Sequence, residues 1–342
     1  MRRRSLLINS SGGGGTDPSQ AAPLEVAFYN STSDSIVIRK QSEWLDGETP
    51  IGIVVVPGYH DRYGDGSCGI MSLVGMDYNH PETGMPVTGA SQTDDINIVW
   101  GHYGPNALVG NDIFLSSIAL TYSNNNIPYQ ISNASTECGI DGINIVWPYA
   151  GTTTAPTSGA SMDYSNDGGY VTATTGKAGC DFNGIRNTVA LYVATRTDYQ
   201  WTVSFVDNGV TSTNAPAAAC AGRFKTVGTK SFLDVFSGTT SNNLNYGTSA
   251  SPKENTGFWY LPGEGELCYL PRFRFEINKT ISALNQKYGN VGVQLYTSYE
   301  TRLYWSSSEA DNARAWYVFM INGEVLYNSK AYYGYVRAFM RL

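Results

Sequence analysis

The segment Ile51-Gly52-Ile53-Val54-Val55-Val56-Pro57 constrains the fold of this 342-residue chain more than any other stretch. A β-branched run without polar alternation predicts a strand covered on both faces, because period-two patterning disappears when neither face meets water. Such a strand needs a sizeable core around it. The composition supplies one, since 42% of residues are hydrophobic and only 15% are charged. Upstream, Val26 and Phe28, then Ile36 and Ile38, predict two strands around a turn at Asn30–Ser35.

Charge and hydropathy exclude several partners. The net charge of −7, with no long basic run, argues against nucleic-acid binding. No apolar stretch approaches the ~18 residues of a membrane span, so no membrane partner is expected. Arg2, Arg3 and Arg4 precede an apolar stretch, Leu6-Leu7-Ile8, too short for an export signal. Residues 1–24, with Gly12 to Gly15 and the following Thr-Asp-Pro-Ser-Gln, are expected to form a flexible tail. That tail is either a basic tether to a larger assembly or a disordered terminus.

Further along, Val189 to Thr195 predicts a strand, and Pro216 to Lys225 a helix with Pro216 in its first turn. Leu267, Leu270, Phe273, Ile277, Ile281 and Leu284 recur at helical spacing from Gly265 to Leu284, with Pro271 expected to kink or split that helix. Short strands and glycine turns follow Gly289. Ile96-Asn97-Ile98-Val99-Trp100 recurs as Ile143-Asn144-Ile145-Val146-Trp147. One pair of copies is too few for a repeat array, and we read them as two similar strands, each ending in a tryptophan that caps the core. The sum is α+β.

No constellation for catalysis is visible. His60, His80 and His102 lack a hydrolase neighbourhood, and nucleophile-elbow, zinc-hydrolase and phosphate-loop motifs are absent. Asp61, Asp65 and Gly66 lack calcium-loop spacing and read as a turn. Cys68, Cys138, Cys180, Cys220 and Cys268 are widely spaced without a C-x-x-C pair, so buried thiols are expected rather than zinc. Glu264 and Glu266 read as acids at a helix N-terminus. No cofactor or metal is expected.

The tyrosines are distributed unevenly. Tyr296, Tyr299, Tyr304, Tyr317, Tyr327, Tyr332, Tyr333 and Tyr335 place a third of the chain's 24 in residues 296–342. Mixed with Ser, Asn, Ala, Gly and Asp, they have the composition of a paratope, in which tyrosine gives contact area at low entropic cost.

Three motifs carry a resemblance. Trp259-Tyr260-Leu261-Pro262-Gly263-Glu264-Gly265-Glu266-Leu267, Tyr304-Trp305-Ser306-Ser307-Ser308-Glu309 with Ala315-Trp316, and Val336-Arg337-Ala338-Phe339 resemble the signatures of C-type lectin-like variable proteins. Together with the Ile51–Pro57 strand, Asp181-Phe182-Asn183-Gly184 and the Ala-rich helix with Cys220, they are similar to the subset in gut Bacteroidales and their phages. The resemblance spans about residues 25–342, with 60–185 as a β/loop-rich insertion that is favoured over a separate domain.

In that family the segment matching 296–342 is often diversified by a retroelement that miscopies adenines. The resemblance therefore implies a variable ligand face at Ala310, Asp311, Asn312, Arg314, Tyr317, Phe319, Leu326, Tyr327, Asn328, Ser329, Ala331, Tyr332, Tyr333, Gly334 and Tyr335. Each of these residue types is reachable from an AAC codon by changing adenines. Glu324 and Lys330 are not and are taken as fixed. Trp259, Glu266, Trp305, Ser306, Ser307, Glu309, Trp316 and Arg337 would form the scaffold, with Ser306–Ser308 and Glu309 bonding irregular backbone and Arg337 pairing with Glu309 or another acid. The calcium-dependent sugar motifs of true C-type lectins are absent, so that activity is not expected. The enzymatic relatives that use reactive cysteines are disfavoured because Cys220 and Cys268 fall in expected helices.

The resemblance implies a non-enzymatic, phage-encoded protein binding a host-surface protein or glycan. It would sit on a tail or head fibre, contacting other virion proteins through its N-terminal tail, and a homo-oligomer is compatible with that role. The alternatives are a structural virion component without a diversified ligand and a bacterial surface adhesin.

Overall fold

A computed structural model describes residues 15–60, 63, 66–76, 83–84, 98–101, 120–121, 128–129, 184–195, 205–206, 209–210, 215–236, 257–295, 303–309, 314–321, 323 and 325–342. Its strands are β1 (Val26–Asn30), β2 (Ser35–Arg39), β3 (Thr49–Val56), β4 (Gly69–Ser72), β5 (Ile98–Val99), β6 (Leu120–Thr121), β7 (Pro128–Tyr129), β8 (Phe205–Val206), β9 (Gly209–Val210), β10 (Lys230–Ser231), β11 (Phe258–Tyr260), β12 (Leu303–Glu309), β13 (Arg314–Phe319), β14 (Val325–Ser329), β15 (Tyr333–Gly334) and β16 (Phe339–Arg341). The helices are α1 (Gly184–Thr195), α2 (Pro216–Arg223), α3 (Phe232–Phe236), α4 (Glu264–Leu267) and α5 (Tyr269–Tyr288).

The protein is α+β. Its main sheet has seven strands in the order β10-β11-β16-β4-β3-β1-β2. Every neighbouring pair is antiparallel except β10 with β11. The β-branched run predicted to be covered on both faces is β3. It lies between β1 and β4, and Ile51 and Ile53 to Val56 are all buried. Strand β16 lies between β11 and β4, so it joins the two parts of the sheet. A smaller sheet, β12-β13-β14, carries the tyrosine-rich segment, and β15 pairs with β5.

The expected strand at Val189–Thr195 is instead the second half of helix α1. Its interior positions are Ile185, Asn187, Thr188, Leu191 and Tyr192, which recur at helical spacing once the residues before Val189 are included. The Thr188 hydroxyl donates to Gly184 O at 2.8 Å, within the helix. A short apolar run alone cannot distinguish a buried strand from a buried helix.

The helix at Pro216 forms with its proline in the first turn. The expected break at Pro271 falls instead at Cys268, between α4 and α5. Pro271 occupies the first turn of α5, where its missing N–H leaves no intrahelical bond unmade. Ile277, Ile281 and Leu284 form the buried stripe of α5, and Asn278 and Asn285 tie the helix to residues 291–295. The Asn278 carboxamide donates to Leu295 O at 2.9 Å and accepts from Leu295 N at 2.7 Å.

Two expected boundaries move. Residues 15–24 are docked rather than flexible: Thr16 N donates to Ile38 O at 2.8 Å, and Gly58 N donates to Ala21 O at 3.0 Å. A side chain at Gly58 would overlap the Pro18 carbonyl, so this close approach requires glycine. The expected insertion at 60–185 also starts too early, because β4 is an inner strand of the main sheet. Residues 1–14, with Arg2–Arg4, lie outside the described residues.

Candidate functional site

The tyrosine-rich segment is built on an antiparallel ladder in which Arg314 faces Ser329, Trp316 faces Tyr327 and Tyr317 faces Leu326. Tyr327 stands out from this sheet, 44% exposed. The Trp316 ring meets it edge-on, with centroids 5.1 Å apart, and the Arg314 guanidinium lies 4.3 Å from its centroid. Tyr332 and Tyr333 protrude from the turn after β14, 45% and 49% exposed. A bond from Tyr332 N to Ser329 O at 2.8 Å closes that turn. Arg314 and these three tyrosines are the exposed part of the expected ligand face. Phe319, Leu326, Asn328, Ser329 and Ala331 are half-buried around it.

Three expected face positions lie in the interior. Tyr317 is buried edge-on against Trp305, with centroids 5.7 Å apart. Tyr335 is buried beside Tyr304, and its N–H and carbonyl are bonded to Leu303 O and Trp305 N. Gly334 is buried, and a Cβ there would overlap Leu303 and come within 2.7 Å of Trp305 Nε1. The physical reason is sheet geometry: successive side chains point to opposite faces, so a tyrosine-rich strand sends some of its rings inward. Ala310, Asp311 and Asn312 lie outside the described residues.

The expected scaffold residues are deeply placed. Trp259, Glu266, Trp305, Ser306 and Ser307 are fully buried, and Trp316 and Arg337 nearly so. Ladder register shifts between Trp305 and Glu309, and the three serines serve this irregular stretch. Ser306 Oγ donates to Trp316 O at 2.9 Å and accepts from Ser308 N at 3.2 Å. Ser307 Oγ accepts from Asn187 Nδ2 at 3.0 Å. Ser308 Oγ accepts from Glu264 N at 2.9 Å, at the start of α4. Ser307 N donates to Pro262 O at 2.7 Å, so the two tryptophan-containing motifs interlock.

Arg337 was expected to pair with an acid. Among its described hydrogen bonds are three to main-chain carbonyls: Ser72 O at 3.3 Å, Val293 O at 2.6 Å and Gln294 O at 3.1 Å. A planar guanidinium can bridge several acceptors at once, and here it ties β4 to the extended segment after α5. The Glu309 side chain lies outside the described residues.

Sequence reasoning missed the contribution of β5. Trp100, just after it, is buried and donates its indole N–H to Ser306 O at 2.7 Å. The reading of this copy as a strand capped by a core tryptophan therefore fits. Its echo at 143–147 lies outside the described residues. Lys330, taken as fixed, is also buried, with its ammonium 5.0 Å from the Trp100 ring centroid.

Glu266 anchors a second polar junction. Its Oε1 accepts from Tyr63 Oη at 2.8 Å and Tyr260 Oη at 2.5 Å, and its Oε2 accepts from Gly263 N at 2.5 Å. Burial raises its pKa from 4.5 to about 7, against the opposing effect of these donors and of Arg341. The folded chain therefore holds a proton here between about pH 4.5 and 7 that the unfolded chain releases. This group's contribution to stability falls as pH rises through that window and is level above it. Urea unfolding at pH 5 and pH 7.5 should show the wild type losing on the order of 3 kcal/mol relative to Glu266→Gln between the two pH values. Parallel pH profiles would contradict this assignment.

Cys68, Cys220 and Cys268 are buried, whereas Cys138 and Cys180 lie outside the described residues. Burial pushes the Cys268 thiol well up, reinforced by the neighbouring Glu264 carboxylate. His60 closes a helical turn at Gly58–His60, and His80, His102, Asp61 and Asp65 lie outside the described residues. Among the described residues, no cluster of three His, Cys, Asp or Glu side chains could hold a metal ion, and no helix is long and apolar enough to cross a membrane. In comparisons with known proteins, the chain matches no protein-family profile, no curated protein and no solved structure.

Proposed function

We propose that this chain is a non-enzymatic binding protein that displays a diversified, C-type lectin-like surface. Its carrier is a phage virion and its target is a protein or glycan on the host surface. The observation that carries the proposal is the exposed set Arg314, Tyr327, Tyr332 and Tyr333, held over a floor that includes Trp100, Trp305 and Trp316. Large aromatic side chains on a rigid support suit recognition, because little conformational freedom is lost on binding. The interlocked motifs support the lectin-like reading, since family signatures about forty residues apart meet at Pro262–Glu264 and Ser307–Ser308. A buried thiol with a raised pKa at Cys268 is a poor nucleophile, which favours binding over catalysis.

The test is adsorption of labelled protein to a panel of intact Bacteroidales cells. Replacing Tyr327, Tyr332 and Tyr333 together by alanine should reduce adsorption at least about a hundredfold, because exposed aromatic anchors dominate interfaces. The melting temperature should change little, because these side chains contribute little to the core. Adsorption equal to wild type would overturn the proposal.

A further inference from the structure

We infer that Ile98–Gly101 buttresses the binding face from beneath, and that Trp100 is a positioning residue which fixes the turn carrying Tyr332 and Tyr333. This inference rests on the binding role proposed above. It places part of the site's support outside the tyrosine-rich segment, in a stretch more than 200 residues earlier in the chain.

The contacts are reciprocal. Val99 pairs with Tyr333 and Ile98 with Gly334. Gly101 N donates to Lys330 O at 2.9 Å, at the start of the turn. The Trp100 indole donates to Ser306 O at 2.7 Å, while the Trp305 indole donates to Ile98 O at 2.9 Å. Each tryptophan is therefore tied to the main chain beside the other. The buried Lys330 side chain lies against the Trp100 ring.

These contacts determine how Tyr332 and Tyr333 are presented. The bond from Tyr332 N to Ser329 O shapes the turn locally but does not aim it. Its orientation relative to Tyr327 comes from β5 on one side and from the Tyr335 bonds to β12 on the other. A binding face gains affinity when its anchors are held in the bound geometry beforehand. Trp100 supplies that restraint without touching the ligand.

Hydrogen exchange on the intact chain provides the first test. The Gly101 amide should exchange as slowly as the Trp305 and Tyr335 amides, because all three open together. Rapid exchange at Gly101 beside protected Trp305 and Tyr335 would overturn the inference without any substitution. The second test is Trp100→Phe, which retains an aromatic ring and removes the indole donor. Exchange at Gly101 and Tyr332 should accelerate at least about tenfold, with no change at Val54, whose amide bonds Glu25 O in the main sheet. Adsorption to the same Bacteroidales cells should weaken by about tenfold. If the tyrosine variant loses adsorption while Trp100→Phe keeps both adsorption and protection, the positioning role is wrong and the binding proposal stands. If the tyrosine variant itself adsorbs normally, both fall.

Discussion

Replacing Trp305 by alanine should lower the unfolding free energy by about 4 kcal/mol, within the range for deleting a large buried aromatic. Trp305 is fully buried, meets Tyr317 edge-on and lies against the bare backbone of Gly334. Its removal would open a cavity that the surrounding strands cannot close, and it would leave Ile98 O without the indole donor. Chemical denaturation with an unchanged slope is the measurement. Trp305→Phe should recover part of the loss by refilling volume but not the hydrogen bond. A loss below about 1 kcal/mol for alanine would mean that the site collapses easily, and that the floor beneath the face is softer than its packing indicates.

Arg337→Met should cost a comparable amount, about 3–5 kcal/mol. The substitution retains much of the apolar stem but strands the carbonyls of Ser72, Val293 and Gln294. Buried acceptors that lose their donor incur about 1–3 kcal/mol each. Arg337→Lys should rescue little, because one ammonium cannot reproduce a planar fork directed at separated acceptors. Equilibrium unfolding of the two variants provides the check, and a lysine variant as stable as wild type would show that charge alone suffices.

Residue patterning revealed some of this architecture, and its limits have physical causes. Strands β1 to β3 were legible because β-branched runs and alternation leave few other options. The helix at 184–195 was not, since its apolar stretch is too short to establish a period. The split at Cys268 was hidden because a proline in a first turn looks the same in sequence as one that breaks a helix.

At the candidate site, composition identified the segment but not its facing. Tyr327, Tyr332 and Tyr333 are exposed while Tyr317 and Tyr335 are buried, and residue type cannot separate them. The carbonyl partners of Arg337 left no trace in the sequence, because main-chain acceptors more than forty residues away carry no residue-type signal. Tyr63 gave no signal as a partner of Glu266, because a contact across 203 positions leaves no trace in local pattern. Trp100 did leave one, in the echoed Ile-Asn-Ile-Val-Trp motif, but the echo says nothing about its partner.

The position of β16 makes completion of the main sheet depend on residues that follow the small sheet in the chain. Translation reaches this strand only after β12 to β15, yet it is the piece that joins β11 to β4. A premature stop or a shifted reading frame between residues 303 and 336 would leave the main sheet in two unjoined parts. Such a product would expose strand edges and be cleared or aggregate. Only chains translated in frame through β16 can complete the main sheet, so folding selects for chains that contain residues 303–336 in full.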